Sequence, residues 1–380
     1  MRRLLYLVTE DWYFRSHRLP LALAARDAGW HVSVATRCGR YGALLREHGL
    51  EVFDLPFERS MKLPLRDLAS YRALRRLLRE HAFDVIHAVS LKPILLGLLA
   101  APERRRCIAA FTGLGYIFSS SDRRARVLRR VVQSLLRYEL SDGAAWTLVQ
   151  NADDAALLAD AAIGVPARTV LIPGVGVELA SYPRARPAAS QPPLVVLPAR
   201  VLVDKGVREF VAAARRLRAA GIAARFALVG QHDRDNPGAV PLTELTGWQD
   251  EGVVEWWGHR EDMAAVYAAA AVVCLPSYRE GLPKVLLEAA AVGRALVATD
   301  VPGCRDVVRD GVEGLVVPAR DALALADALG RLLADATLRK RCASAARAGV
   351  EERFASTRIN AQMLALYDRV ATAVVSGTPA

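Results

Sequence analysis

Val272-Val-Cys-Leu-Pro-Ser-Tyr-Arg-Glu-Gly-Leu-Pro-Lys-Val-Leu-Leu-Glu-Ala-Ala-Ala-Val-Gly-Arg-Ala-Leu-Val-Ala298 decides how this chain folds. Val272–Pro276 is a short apolar run of strand length. Leu282–Val292 has apolar residues at helical spacing and Gly293 where a helix stops. Ala295–Ala298 is a second apolar run. Strand, helix and strand in so few residues leave room only for a parallel crossover, a βαβ unit. Pro283 is expected just inside the helix start, where its missing N–H costs nothing.

The same alternation extends both ways. Toward the N-terminus, strands are expected at Leu4–Val8, His31–Ala35, Val52–Leu55, Val85–His87, Cys107–Phe111, Trp146–Val149 and Thr169–Pro173. Helices are expected at Arg18–Ala28, Tyr41–His48 and Leu65–His81. After a Pro-rich stretch at about 181–193 the pattern restarts. Its strands are Leu194–Pro198, Phe226–Gly230, Val253–Trp257, Val272–Pro276, Ala295–Ala298 and Gly314–Val317. The expected class is α/β: two doubly wound, Rossmann-like domains. The boundaries read 1–182, 183–355 and 356–380, the last a C-terminal helix packing back on the N-terminal domain. A cleft between two such domains is the expected ligand site, with the ligand outside the carboxyl ends of the strands.

Composition removes several classes. The chain has 380 residues, 53% hydrophobic and 24% charged, which is globular and not disordered. Its five cysteines form no C-x-x-C pair, so neither a disulfide framework nor a zinc site is expected. The longest apolar run, Met263–Pro276, is shorter than the roughly 20 residues of a membrane span. The apolar run after Arg3 is too short for a signal peptide. The net charge is +11, and 59–137 alone carry 17 basic against 5 acidic residues. So concentrated a positive block calls for an anionic partner. Arg72, Arg75, Arg76 and Arg79 interleave with leucines, as do Arg123, Arg124, Arg126, Arg129 and Arg130 with Val and Leu. These are basic amphipathic helices suited to an anionic membrane face. A solvated surface is the plainer reading of them. No nucleic-acid module is present.

Chemistry concentrates in the second half. Glu280 and Glu288 lie eight residues apart around a helix start, too far for a shared proton and well placed to hold two parts of one ligand. A helix N-terminus near Gly281 and Leu282 is an anion site. Arg200 leaves the end of a strand and Lys205 follows five residues later. Two cations there would hold a diphosphate and stabilise it as it departs. Asp204 reads as a helix cap. Asp233-Arg-Asp235 has the look of a metal-binding D-x-D, but loop residues of this kind are ordinary turn formers, and no metal is expected. Trp256 and Trp257 read as core packing, and His17 and His87 as structural or catalytic.

In order and spacing, these motifs resemble the family-4 retaining glycosyltransferases of GT-B architecture: R-x4-K at Arg200 and Lys205, Gly258-His-Arg-Glu-Asp-Met263, and E-x7-E at Glu280 and Glu288. The N-terminal stretches Val8–Pro20 and Phe111–Phe118 resemble a bacterial branch acting on polyprenyl-diphosphate-linked glycans. The resemblance implies a UDP-sugar donor; no cofactor is expected where Arg and Lys hold the diphosphate, and the basic helices lead to an expected location on the cytoplasmic face of the cell membrane. It implies that Arg200 and Lys205 bind the diphosphate and that Glu280, with the backbone of Gly281 and Leu282, lies at the donor sugar and phosphate. It implies too that Glu288 holds the ribose and that His259 and Arg260 lie near the uracil, with Gly230 also on the donor side. Glu280, Lys205 and Arg200 are the expected catalytic groups. In place of the double-glycine loop of many relatives stands Asp11–His17, and in place of a histidine stand Thr112 and Gly113. Ser16, His17, Thr112 and Gly113 are therefore candidate acceptor or sugar contacts by position only. A cytosolic enzyme with a soluble acceptor and a non-catalytic nucleotide-binding scaffold are the alternatives.

Overall fold

The computed structural model describes residues 1–58, 64–113, 123–186, 191–234 and 236–375, with backbone alone for 64–66, 123–128 and 374–375. Arg123, Arg124 and Arg126, Leu114–Phe118, Pro187 and Asp235 therefore have side chains outside the described residues. The chain forms two compact units, Met1–Val175 with Ile359–Ala380, and Gly176–Arg358.

The first unit holds a seven-stranded sheet: β1 Arg3–Glu10, β2 His31–Arg37, β3 Glu51–Asp54, β4 Val85–Val89, β5 Cys107–Ala110, β6 Trp146–Val149 and β7 Thr169–Leu171. The second holds six strands: β8 Leu194–Pro198, β9 Arg225–Val229, β10 Glu255–Gly258, β11 Val272–Leu275, β12 Ala295–Thr299 and β13 Gly314–Val317. Strand order is 3-2-1-4-5-6-7 in one and 10-9-8-11-12-13 in the other, and every pairing is parallel. Strands β8, β11 and β12 are buried along their whole length, as continuous Val/Leu/Ala runs require of a sheet covered on both faces. In each sheet the winding reverses once, between β1 and β4 and between β8 and β11. At such a switch point the connections leave in opposite directions and open a crevice at the carboxyl ends.

The last helix, Ser356–Val375, buries Ile359, Met363, Leu366, Tyr367 and Val370 on the first sheet with Leu4, Tyr6 and Val34. Its apolar residues at spacings of three and four supply one continuous stripe. The Tyr367 hydroxyl lies 2.8 Å from the Tyr6 hydroxyl and 2.7 Å from His87 Nδ1. His87 is thus a core residue of β4, and burial holds its imidazole well below its ordinary pKa.

Three local expectations need correction. Asp11–His17 is a helix and not a loop. Buried Asp11 at its start accepts the backbone N–H groups of Gly39 and Tyr41 at 2.7 and 2.9 Å, and so ties β1 to the segment after β2. Pro283 is the N-cap, and the helix runs Lys284–Val292, because Pro283 itself is extended. Asp204 caps nothing: the N-cap of the helix Val207–Ala219 is Gly206, and Asp204 sits in the 3₁₀ turn before it.

Candidate active site

The two loops singled out by charge leave neighbouring strands of the second sheet at its switch point. One follows β8 and carries Arg200 and Lys205. The other follows β11 and carries Ser277 to Leu282. Backbone locks them together: the Tyr278 N–H donates to the Asp204 carbonyl at 2.8 Å. Gly206, at φ +69°, lies so close to β11 that a Cβ there would stand 2.1 Å from the Pro276 carbonyl oxygen. A Cβ on Gly230 would stand 1.8 Å from the Ala199 oxygen, so Gly230 supports the Arg200 loop by close backbone approach. The Trp256 indole donates to the Gly230 carbonyl at 2.9 Å and fixes that loop in turn. Trp256 therefore holds the site's frame besides packing in the core.

Between the loops, Lys205 Nζ lies 2.6 Å from Glu280 Oε1, with side chains 18% and 15% exposed. Ser277 Oγ, in a buried residue, donates to the same Oε1 at 2.7 Å. Burial lowers the pKa of the Lys205 ammonium, but the charge and hydrogen bond of Glu280 outweigh it and leave the pKa raised. The lysine is a fixed cation at the carboxyl edge of the sheet. Arg200 is placed less tightly. It is 42% exposed and pairs with Asp233 at 3.0 Å, though its charge acts on Lys205. Asp233, read as a turn residue, thus orients the arginine. Among the described residues no cluster of three or more His, Cys, Asp or Glu could hold a metal.

Gly281 and Leu282 lead into the helix Lys284–Val292. The Gly303 backbone, at φ +76°, presses against them, a Cβ there standing 2.1 Å from the Gly281 oxygen. Glu288 differs from a freely presented ribose ligand. It is 5% exposed, and Oε1 accepts the Tyr182 hydroxyl at 2.8 Å and Lys284 Nζ at 3.0 Å. Oε2 accepts the Tyr267 hydroxyl at 3.0 Å. Burial, reinforced by the Glu288 charge, raises both tyrosine pKa values, so both phenols stay protonated donors. Neither tyrosine was legible as a site residue: Tyr182 lies 106 residues from Glu288 in sequence. Replacing Tyr267 by Phe is expected to destabilise the second unit by about 1–3 kcal/mol, the cost of stripping a donor from a buried charge. A thermal melt reads it, and an unchanged midpoint would refute the role of this hydrogen bond.

His259 and Arg260 are exposed, Arg260 pairing with Asp262 at 2.5 Å. They adjoin a hollow of about 400 Å³ lined by Trp257, Arg260, Asp262 and Val266. In the first unit, Ser16 Oγ and His17 Nδ1 are 2.5 Å apart, with the imidazole stacked on Tyr13 at 4.4 Å. Thr112 and Gly113 follow β5, where the Thr112 hydroxyl meets that of Ser90 at 3.1 Å. Ser90, at φ +75°, was not anticipated. A non-glycine residue in that region is strained, and such strain concentrates at functional loops.

Residues 15–175 match the glycosyl transferase 4-like domain, and residues 192–335 match the glycosyl transferases group 1 family. The chain belongs to the group 1, family-4-like glycosyltransferases. The N,N'-diacetylbacillosaminyl-diphospho-undecaprenol alpha-1,3-N-acetylgalactosaminyltransferase of Campylobacter jejuni is 29% identical to it over 371 residues. That match spans 93% of this chain and 95% of the relative. A sucrose-phosphate synthase from Thermosynechococcus elongatus shares the fold at TM-score 0.81 and 22% identity, over 98% of this chain and 100% of that one. Anabaena HepE, solved in complex with UDP and glucose, does so at TM-score 0.76 and 19% identity, over 97% and 100%. The architecture of this glycosyltransferase is GT-B, its two parallel Rossmann-like sheets being those described above.

Proposed function

We propose that this glycosyltransferase moves a sugar from a UDP-sugar to a polyprenyl-diphosphate-linked saccharide, with retention of anomeric configuration, at an anionic membrane face. The Lys205–Glu280–Ser277 cluster beside the helix start carries the reading. As the anomeric C–O bond to the β-phosphate breaks, negative charge grows on the departing UDP. Lys205, Arg200 and the backbone around Gly281 and Leu282 would neutralise it. The acceptor oxygen bonds to the anomeric carbon on the same face, and its proton passes to the leaving β-phosphate oxygen. No separate protein base and no cofactor is then required. Glu280, with Oε1 fixed by Lys205 and Ser277, would present Oε2 to donor-sugar hydroxyls. Glu288, held by Tyr182, Tyr267 and Lys284, would meet the ribose through its remaining lone pairs, and His259 and Arg260 would meet the base.

The Campylobacter relative, whose name gives a diphospho-undecaprenol acceptor, supports the acceptor class. The HepE complex supports UDP as carrier. The test is UDP release with a panel of polyprenyl-diphosphate saccharides, with NMR of the product's anomeric centre. An inverted product, or transfer to soluble sugars alone, would discard the reading.

Membrane docking is supported by the basic helices of the first unit. On Pro64–Glu80, Arg72, Arg75, Arg76 and Arg79 are exposed while Leu74, Leu77 and Leu78 are buried. On Arg123–Leu140, Arg129 is half-buried and Arg130 exposed, beside Val131 at 61% and Tyr138 at 74% exposed. Basic groups at about 1 kcal/mol each, with Val131 and Tyr138 exposed beside Arg130 on the second helix, suit an anionic interface. Among the described residues no helix is long and apolar enough to cross a membrane. The chain is expected to float with phosphatidylglycerol liposomes at low salt and to be released by high salt. Binding to neutral and anionic liposomes alike would remove the electrostatic docking.

A further inference from the structure

At the amino ends of β5, β6 and β7 the first unit has a second polar hollow, of about 540 Å³. Its lining includes Glu103, Arg104, Arg105, Asp142, Gly143 and Arg168. It lies at the opposite end of the sheet from Thr112 and Gly113. Two 3₁₀ turns, Arg104–Arg106 and Pro166–Arg168, and the turn before β6 bring these residues together.

The carboxylates around it are already engaged. Arg104 takes Asp142 at 2.8 Å and Glu139 at 3.2 Å, and Glu103 takes Arg106 at 3.1 Å. Arg105 and Arg168 have no carboxylate partner among the described residues. Arg105 is exposed, but Arg168 is only 7% exposed, and its Nη1 is buried without a hydrogen-bond partner. Its guanidinium lies 4.9 Å from the Trp146 ring centroid, and the Trp146 Nε1 is also buried and unpartnered. From the last helix, Arg369 covers the same ring at 4.2 Å.

Of the two unspent buried groups, Arg168 lines the hollow, and its guanidinium is donor-only, which calls for an acceptor ligand. Two guanidinium groups without counter-charge match a dianion, and the planar guanidinium fork suits phosphoryl oxygens. We propose that this hollow binds a phosphoryl group, held between Arg105 and Arg168, whose guanidinium stacks on Trp146. The proposal is independent of the donor chemistry. The phosphoryl could belong to a soluble ester or to an anionic lipid headgroup, since exposed Tyr138 lies on the adjoining helix.

The full chain is titrated with inorganic phosphate, read by tryptophan fluorescence, and sedimented with phosphatidic acid vesicles. Wild type is expected to give a saturable fluorescence change that Trp146→Phe abolishes. Arg168→Lys and Arg105→Ala should each weaken binding about tenfold or more, as losing a charged hydrogen bond does. Lys205→Ala should leave it unchanged. Arg105 is exposed, so its substitution tests the site without threatening the fold. A loss confined to vesicles assigns the site to a headgroup, and a loss with inorganic phosphate assigns it to a soluble ester. Unchanged affinity of Arg105→Ala for both probes, or loss of phosphate binding in Lys205→Ala, overturns the proposal.

Discussion

Lys205→Ala is expected to lower turnover at least about 100-fold, the scale on which a single preorganised charge at a departing oxyanion acts. The ammonium is anchored before any substrate arrives, at 2.6 Å from Glu280, in a side chain 18% exposed. It therefore needs little reorganisation when charge develops on a phosphate. Its own pKa is raised, so it stays protonated throughout the neutral range. The loss should appear in kcat, because growing charge belongs to the transition state and not to the bound donor. Single-turnover measurements at saturating concentrations of the proposed UDP-sugar donor separate the two. If only KM rises, Lys205 merely binds donor. Arg200→Ala should be milder, since Arg200 is 42% exposed and shared with Asp233.

Gly206→Ala is expected to destabilise the second unit by about 3 kcal/mol, combining left-handed strain with overpacking. For a unit of this size that is a fall of about 6–12 °C in melting temperature. The cause is specific. A Cβ at this position stands 2.1 Å from the Pro276 carbonyl oxygen, which is backbone and cannot swing aside. Gly221→Ala is the internal control, because its φ of +76° imposes similar strain while nothing lies within 4 Å. That variant should lose only about 1 kcal/mol. Equal losses in the two would show that the contact with β11 contributes nothing. Because Lys205 precedes Gly206, the folded fraction of Gly206→Ala should also transfer sugar more slowly than wild type.

Element order was legible along the chain. Each expected strand, from Leu4–Val8 to Gly314–Val317, exists within a residue or two. Buried parallel strands are uniform apolar runs, and that signal is local. Lys205 and Glu280 were each legible as charged loop residues after strands, but that they meet was decided by the winding, which brings β8 and β11 side by side. Asp11–His17 was not legible, since its helix depends on Asp11 capturing N–H groups from 28 and 30 residues away.

The sequence by itself determined two parallel doubly wound sheets and the loops that bear charge, because strand periodicity, helix stops and loop charge are written within a few consecutive residues. Only the tertiary structure decided that Tyr182 and Tyr267 enclose Glu288, that Gly206 seats Lys205 against β11, and that Arg105 and Arg168 have no carboxylate partner among the described residues. Those are encounters between residues tens to hundreds of positions apart. Their energies depend on distance and burial, which no local pattern encodes.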